Sequence, residues 1–125
     1  PFLKDQPKFL FEYGQCLSKT GQYEEGIRIL TEGTRLSADP MFYNIMGKDA
    51  EALKHFGQAE ACFKQASYMV PHRLYPLYLL AKMYFESGQP EKGRDMARQV
   101  IQKEPKVMSD AVKEMKAELE ERLKP

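Results

Sequence analysis

The residues that could do chemistry in this sequence are few and scattered. His55 and His72 are the only histidines, and His72 directly follows Pro71 at a predicted turn. An imidazole acts as a general base only when a nucleophile or carboxylate is positioned beside it. No such set is apparent, and both read as solvated turn residues. Cys16 and Cys62 fall inside predicted helices without a flanking base, so they read as structural thiols rather than nucleophiles. Nor do the two cysteines make a metal-type spacing or a disulfide framework. Glu24–Glu25 and Glu120–Glu121 are adjacent pairs, which a helix points about 100° apart, too divergent for paired acid and base work. The glycines are dispersed rather than gathered into a phosphate-cradling loop. The expectation is a chain with no catalytic residues, no metal site and no cofactor, so not an enzyme by itself.

Composition narrows the class further. Lys and Arg total 19 against 18 Asp and Glu, a formal net charge of +1. That balance gives no support to nucleic acid or a polybasic membrane surface as partner. At 42% hydrophobic and 30% charged the chain is globular, and its 125 residues make one domain. The most apolar stretch, Leu77 to Ala81, stops at Lys82, so no membrane span is expected. The chain opens on Pro-Phe-Leu-Lys and closes on Lys124-Pro125, and it reads as a piece of a longer protein.

The elements that position any site come from an internal repeat. Three segments align: residues 7–39, 40–73 and 74–107. Each has a small residue midway through its first helix (Gly14, Gly47, Ala81) and another where the second helix crosses the first (Gly26, Ala59, Gly93). Small side chains let helix axes approach to the short end of the usual ~8–10 Å. Tyr13, Leu17, Tyr23 and Leu30 are expected to fill the gaps in the first unit. Met46, Phe56 and Phe63 do so in the second, and Leu80 and Tyr84 in the third. Gly21 and Gly88 fall where a helix ends in a left-handed residue. The second unit has Lys54 there, predicting a less relaxed turn or one shifted to Gly57. Asp39-Pro40 and Gln89-Pro90 read as helix starts, and Pro7 and Pro76 fall in predicted first turns.

This pattern resembles the tetratricopeptide repeat family, whose period is about 34 residues. The resemblance implies a right-handed all-α solenoid of three helix hairpins. Departures are Leu10, Tyr43 and Leu77 at the position of the usual Trp, Ala38 for the first closing proline, Pro90 for an aromatic, and Ala97 for a large residue. A seventh helix over 109–123 is expected to cap the stack, with Ser109 as its N-cap and Met108, Ala111, Val112, Met115 and Leu119 as its apolar stripe. Glu118/Arg122 and Glu120/Lys124 are spaced for ion pairs along it.

In such a stack the first helix of each pair lines the concave side. The expected ligand groove therefore carries Phe11, Gln15 and Ser18, then Asn44, Lys48 and Glu51, then Tyr75, Tyr78, Lys82 and Phe85. Aromatics beside amides and ammonium groups suit an extended peptide or a glycan. Tyr78 and Phe85 would equally suit the core, and Lys48 and Lys82 plain solvated positions. Some members of the family grip a partner's C-terminal carboxylate with Lys, Asn and Arg at fixed groove positions. Phe11, Gln15, Ile45, Tyr75 and Leu79 stand there, so that clamp is not expected.

Two strings carry a second resemblance: Met41 to Leu53, and Pro71 running on to Lys116. They resemble the C-terminal repeat region of bacterial O-antigen ligase-like and polymerase-like membrane proteins. That resemblance implies a soluble tail of an inner-membrane protein in envelope glycan assembly, on the periplasmic side, with the reactive residues elsewhere in the parent. The expected function is a non-enzymatic interaction scaffold. Alternatives are a glycan-binding groove, a free-standing adaptor, or self-association through an apolar N-terminal face showing Phe2, Leu3 and Phe9.

Overall fold

The structure is a computed structural model and describes residues 6–125; Phe2 and Leu3 of the expected apolar face lie outside the described residues. Among the described residues there are seven helices and no strand: α1 (Pro7–Lys19), α2 (Tyr23–Thr34), α3 (Met41–Ala52), α4 (Phe56–Met69), α5 (Tyr75–Glu86), α6 (Pro90–Gln102) and α7 (Asp110–Leu123). Consecutive helices pack antiparallel as hairpins, α1 with α2, α3 with α4 and α5 with α6, and α7 closes the stack against α6 and α5. The expected α-solenoid of three hairpins and a capping helix is what the chain forms. None of these helices is long and apolar enough to cross a membrane.

The three hairpin turns are built alike. Gln22 N–H donates to Leu17 O at 2.8 Å, His55 N–H to Ala50 O at 2.8 Å, and Gln89 N–H to Tyr84 O at 2.8 Å. Each bond bridges a left-handed residue: Gly21 at φ 81°, Lys54 at φ 62° and Gly88 at φ 76°. The second turn therefore keeps its register and holds a lysine in the strained conformation instead of shifting to Gly57.

The small residues work by letting a large one in. A Cβ on Gly14 would stand 2.5 Å from Leu30, one on Gly47 2.4 Å from Phe63, and one on Gly93 3.0 Å from Phe85. A further such contact escapes the repeat alignment: a Cβ on Gly33 would meet the Phe42 ring at 2.2 Å. That contact joins the first hairpin to the second. Phe42, Phe63, Leu30 and Leu80 are all essentially buried around these crossings. Ala81 and Ala97 are buried in one cluster with Val100 and with Leu119 of α7. Leu119 thus supplies the bulk that Ala97 lacks.

Some expectations need correction. Tyr13 is not a gap filler; it is exposed beside Phe9, their rings 5.9 Å apart. α3 begins at Met41, with Pro40 just outside it, although Asp39 Oδ1 still accepts from the Met41 N–H at 2.9 Å. In α7, Ser109 caps as expected through Val112 N–H at 3.2 Å, but Met108 and Ala111 are exposed. The stripe that packs is Val112, Met115, Leu119 and Leu123. Glu118 and Arg122 pair with α5 and not with each other, and Lys124 pairs with Glu121 at 3.0 Å instead of Glu120.

Since the rings occupy the space of absent side chains, Gly33→Ala, Gly47→Ala and Gly47→Leu should each destabilise by about 1–3 kcal/mol through overpacking. Gly57 has nothing within 4 Å of an added Cβ, so Gly57→Ala should be neutral or stabilise by about 0.5 kcal/mol. Thermal or urea melts of the four variants check both signs.

Candidate functional site

Helices α1 and α3, α3 and α5, and α5 and α7 approach one another across the stack. The even-numbered helices do not approach one another to that extent, so the odd-numbered ones line the inside of the curve. Two clefts open on this face. The larger, about 590 Å³, is lined by Lys48, Glu51, Ala52, Lys54, Phe56, Tyr75, Tyr78, Leu79, Lys82 and Glu86. The smaller, about 310 Å³, lies between α1, the start of α2 and α3, with Gln15, Ser18, Lys19, Tyr23, Ile45, Lys48, Asp49 and Ala52 in its wall. Lys48 and Ala52 belong to both. The clefts are therefore adjoining parts of one groove.

The structure brings together only part of the expected residue set. Lys48, Glu51, Tyr75, Tyr78 and Lys82 share the larger cleft, and Gln15 and Ser18 line the smaller with Lys48. Phe11 is half-buried, its ring edge-on to Phe42 with centroids 5.2 Å apart. Asn44 is interior: it is 3% exposed, its Nδ2 lies 3.4 Å from the Met41 sulfur, and its Oδ1 has no hydrogen-bond partner among the described residues. Phe85 seats against Gly93, with the Arg122 guanidinium 5.2 Å above its ring, and lines neither cleft. Both residues lie on the groove-side helices, but Asn44 is enclosed and Phe85 turns toward α6 and α7. Helical register alone does not separate those directions.

The polar geometry of the larger cleft centres on α5. The Tyr75 and Tyr78 rings lie 6.1 Å apart at 26°. Lys82 Nζ sits 4.9 Å from the Tyr78 ring centroid and donates to its hydroxyl at 3.1 Å. Glu118 reaches in from α7, accepting from Tyr78 at 2.7 Å through Oε1 and pairing with Lys82 at 3.2 Å through Oε2. Burial works against the Lys82 charge, but its hydrogen bonds to Tyr78 and Glu118 prevail and raise its pKa. Burial likewise opposes ionisation of Glu118, and the bonds from Tyr78 and Lys82 outweigh it and lower its pKa. Glu51 is pushed up, first by burial and then by Glu86 across the cleft.

Asp49 is the residue that sequence reasoning missed. It is 1% exposed, and burial raises its pKa to about 6. Ser18 Oγ lies 2.8 Å from Asp49 Oδ2 and 3.0 Å from Gly14 O. A hydroxyl carries one hydrogen and cannot donate to both acceptors. Below about pH 6 a protonated Asp49 donates to Ser18 while Ser18 donates to Gly14 O, and above it Ser18 donates to the carboxylate. Gly26 leaves room for this node: a Cβ there would stand 3.0 Å from both Asp49 Oδ2 and Ser18 Oγ. The signal lay in the spacing, since Asp49 falls on the apolar stripe of Phe42, Ile45, Met46 and Ala50. Cys62 is buried nearby, and burial, aided by Asp49, lifts its thiol to about 11, away from nucleophilic use. Among the described residues no group of acids, histidines and cysteines could hold a metal ion.

The sign of the Asp49 effect follows from linkage. A carboxyl raised from 3.8 to about 6 in the folded state favours folding below pH 4 and loses that contribution as pH rises to about 6. A tenfold difference in proton affinity between the folded and unfolded states is worth about 1.4 kcal/mol. The stability of Asp49→Asn relative to wild type should therefore rise by about 2–3 kcal/mol between pH 4 and pH 7. Paired urea melts across that range measure the difference; a flat difference would contradict the protonated node.

The tetratricopeptide repeat family matches the chain at residues 7–40 and again at 77–106. None of the curated proteins matches it. Among solved structures it is similar to the Arabidopsis OM64 TPR domain (TM-score 0.75, 16% identity, covering 97% of this chain and 99% of that one). It is also similar to the first TPR of Spaghetti (RPAP3) bound to HSP90 peptide SRMEEVD (TM-score 0.74, 19% identity, 94% of both chains). A third is PcrH in complex with the chaperone binding region of PopB (TM-score 0.73, 14% identity, 94% of both chains). At these identities the likeness is one of fold.

Proposed function

Because this chain is built of tetratricopeptide repeats, we propose that it is a non-enzymatic interaction scaffold that takes an extended peptide along the α1–α3–α5 groove. The observation that carries this reading is the larger cleft. Two near-parallel tyrosine rings and Phe56 offer flat apolar contact there, flanked by Lys48, Lys54, Lys82, Glu51 and Glu86. Such a surface supplies contact area from rigid rings and orientation from the charges around them. Two of the similar structures hold a peptide or a partner's binding region, which supports the same use here. The partner would not be a C-terminal carboxylate gripped by the family's Lys, Asn and Arg set. Ile45 and Leu79 stand at two of those positions, and both are buried.

Peptides selected on the purified chain from a random displayed library test the reading. Tyr78→Ala and Lys48→Glu should each weaken the selected peptides by about ten-fold, the loss of one aromatic anchor or one well-placed charge. Tyr68→Ala, an exposed ring on α4, should leave them unchanged. Binding indifferent to both groove variants would overturn the proposal.

The proposal extends to the parent protein. The strings Met41 to Leu53 and Pro71 to Lys116 support a soluble repeat region of an O-antigen ligase-like or polymerase-like membrane protein, facing the periplasm. An antibody to this domain should then detect a polypeptide several-fold heavier than the 14.5 kDa chain, retained in membranes through a carbonate wash. A soluble band near that size would contradict this part. The Tyr75–Tyr78 pair also favours a second reading, a glycan laid on the two rings. Heat on titration with envelope polysaccharide, lost in Tyr75→Ala/Tyr78→Ala, would support it, and no heat in either protein would exclude it.

A further inference from the structure

Helix α7 is held by a narrow seam. Leu119 is its one buried residue, with Val112, Met115 and Leu123 half-buried beside it. Lys116 Nζ adds bonds to the α6 end, at 3.0 Å from Ile101 O and 2.7 Å from Lys103 O. Its other polar ties run to the groove. Glu118 binds Tyr78 and Lys82, and Arg122 stands 3.7 Å from Glu86. Tyr78, Lys82 and Glu86 are all cleft-lining residues.

The Glu118 contact is a carboxylate held by both oxygens, one on a phenol O–H and one on an ammonium. Lys82 is oriented for it by the Tyr78 ring and hydroxyl. The chain thus displays, with its own side chain, what this corner of the groove binds. The pair is half-exposed, with side-chain accessibilities of 34% for Lys82 and 42% for Glu118. Exchange of one carboxylate for another at such a site is nearly balanced, since an exposed pair is worth ~0.2–1 kcal/mol.

We propose that Tyr78 and Lys82 form a carboxylate subsite for an acidic side chain of the bound peptide, and that Glu118 is its removable intramolecular competitor. This rests on the groove reading above and adds the partner's chemistry, a peptide with an Asp or Glu set among residues that pack on Tyr75 and Phe56. When a partner carboxylate takes the subsite, Glu118 is released and α7 loses one of its ties. Glu51 and Glu86 also face the cleft and restrict where a second acid could sit, while Lys48 and Lys54 face it with the opposite sign.

The test titrates an N-acetylated, C-amidated tetraglutamate peptide into the full chain. Glu118→Gln, and Glu118→Asp, which keeps the charge but shortens the reach, should each bind it about five-fold more tightly than wild type, the loss of ~1 kcal/mol of internal competition. Glu120→Gln makes the same charge change on an exposed position and should show no comparable gain. Adding Lys82→Gln to Glu118→Gln should abolish the gain. Amide hydrogen exchange should show α7 opening faster when wild type is saturated, with no acceleration in α1–α4, which separates release of α7 from unfolding. Equal affinity in wild type and both Glu118 variants, or a gain that survives Lys82→Gln, would overturn the proposal. Neutral library peptides that still respond to Tyr78→Ala would leave the groove reading intact while the carboxylate subsite failed.

Discussion

The structure depends on one repeated contact, a bulky side chain seated where its neighbour has none. Leu30 lies on Gly14, Phe42 on Gly33, Phe63 on Gly47 and Phe85 on Gly93. Each such contact sets how closely two helices approach. Their sequence along the chain sets the hairpins and the step between the first hairpin and the second. Repeat units contact chiefly their neighbours, so these seats act locally along the stack. Close packing makes these positions unforgiving, since a core at crystal-like density transmits a misplaced methyl to its surroundings.

That packing in turn decides which side chains are free for the groove. With Phe85 committed to Gly93 and Asn44 to the interior, the inner face is left to Gln15, Ser18, Lys48, Glu51, Tyr75, Tyr78 and Lys82 of the expected set. The same face holds two carboxyls whose pKa values are shifted in opposite directions. Asp49 is enclosed at the α1–α2–α3 junction and its pKa is raised to about 6, whereas Glu118 meets an ammonium and a phenol and its pKa is lowered. Desolvation governs the first and hydrogen bonding the second. The stack thus encloses one acid and leaves the other half-exposed beside the groove.

Much of this was legible in the residues. The period, the turn glycines, the prolines at helix starts and the small residues at the crossings within hairpins all follow from local rules, and the chain obeys them. What was not legible concerns neighbours distant in sequence. Helix spacing offered Arg122 as the partner of Glu118, but Lys82 of α5 lies nearer a better geometry and takes it. Tyr13 occupies a position whose type suggests packing, yet none of the described elements covers it. Gly33 carries no signal within its own repeat because its partner Phe42 belongs to the next one. Of the expected groove set, Gln15, Ser18, Lys48, Glu51, Tyr75, Tyr78 and Lys82 line the two clefts, while Phe11 packs on Phe42, Asn44 is enclosed and Phe85 seats on Gly93.

A partner seated on the inner face of α1, α3 and α5 would shield the rings that line it. Hydroxyl-radical footprinting with the tightest library peptide bound would test this most directly. Tyr75 and Tyr78 should be protected while Tyr68 and the Phe9–Tyr13 pair keep their reactivity. Protection of Tyr68, or of Phe9 and Tyr13, with Tyr75 and Tyr78 unchanged would place the partner on another face and contradict the account.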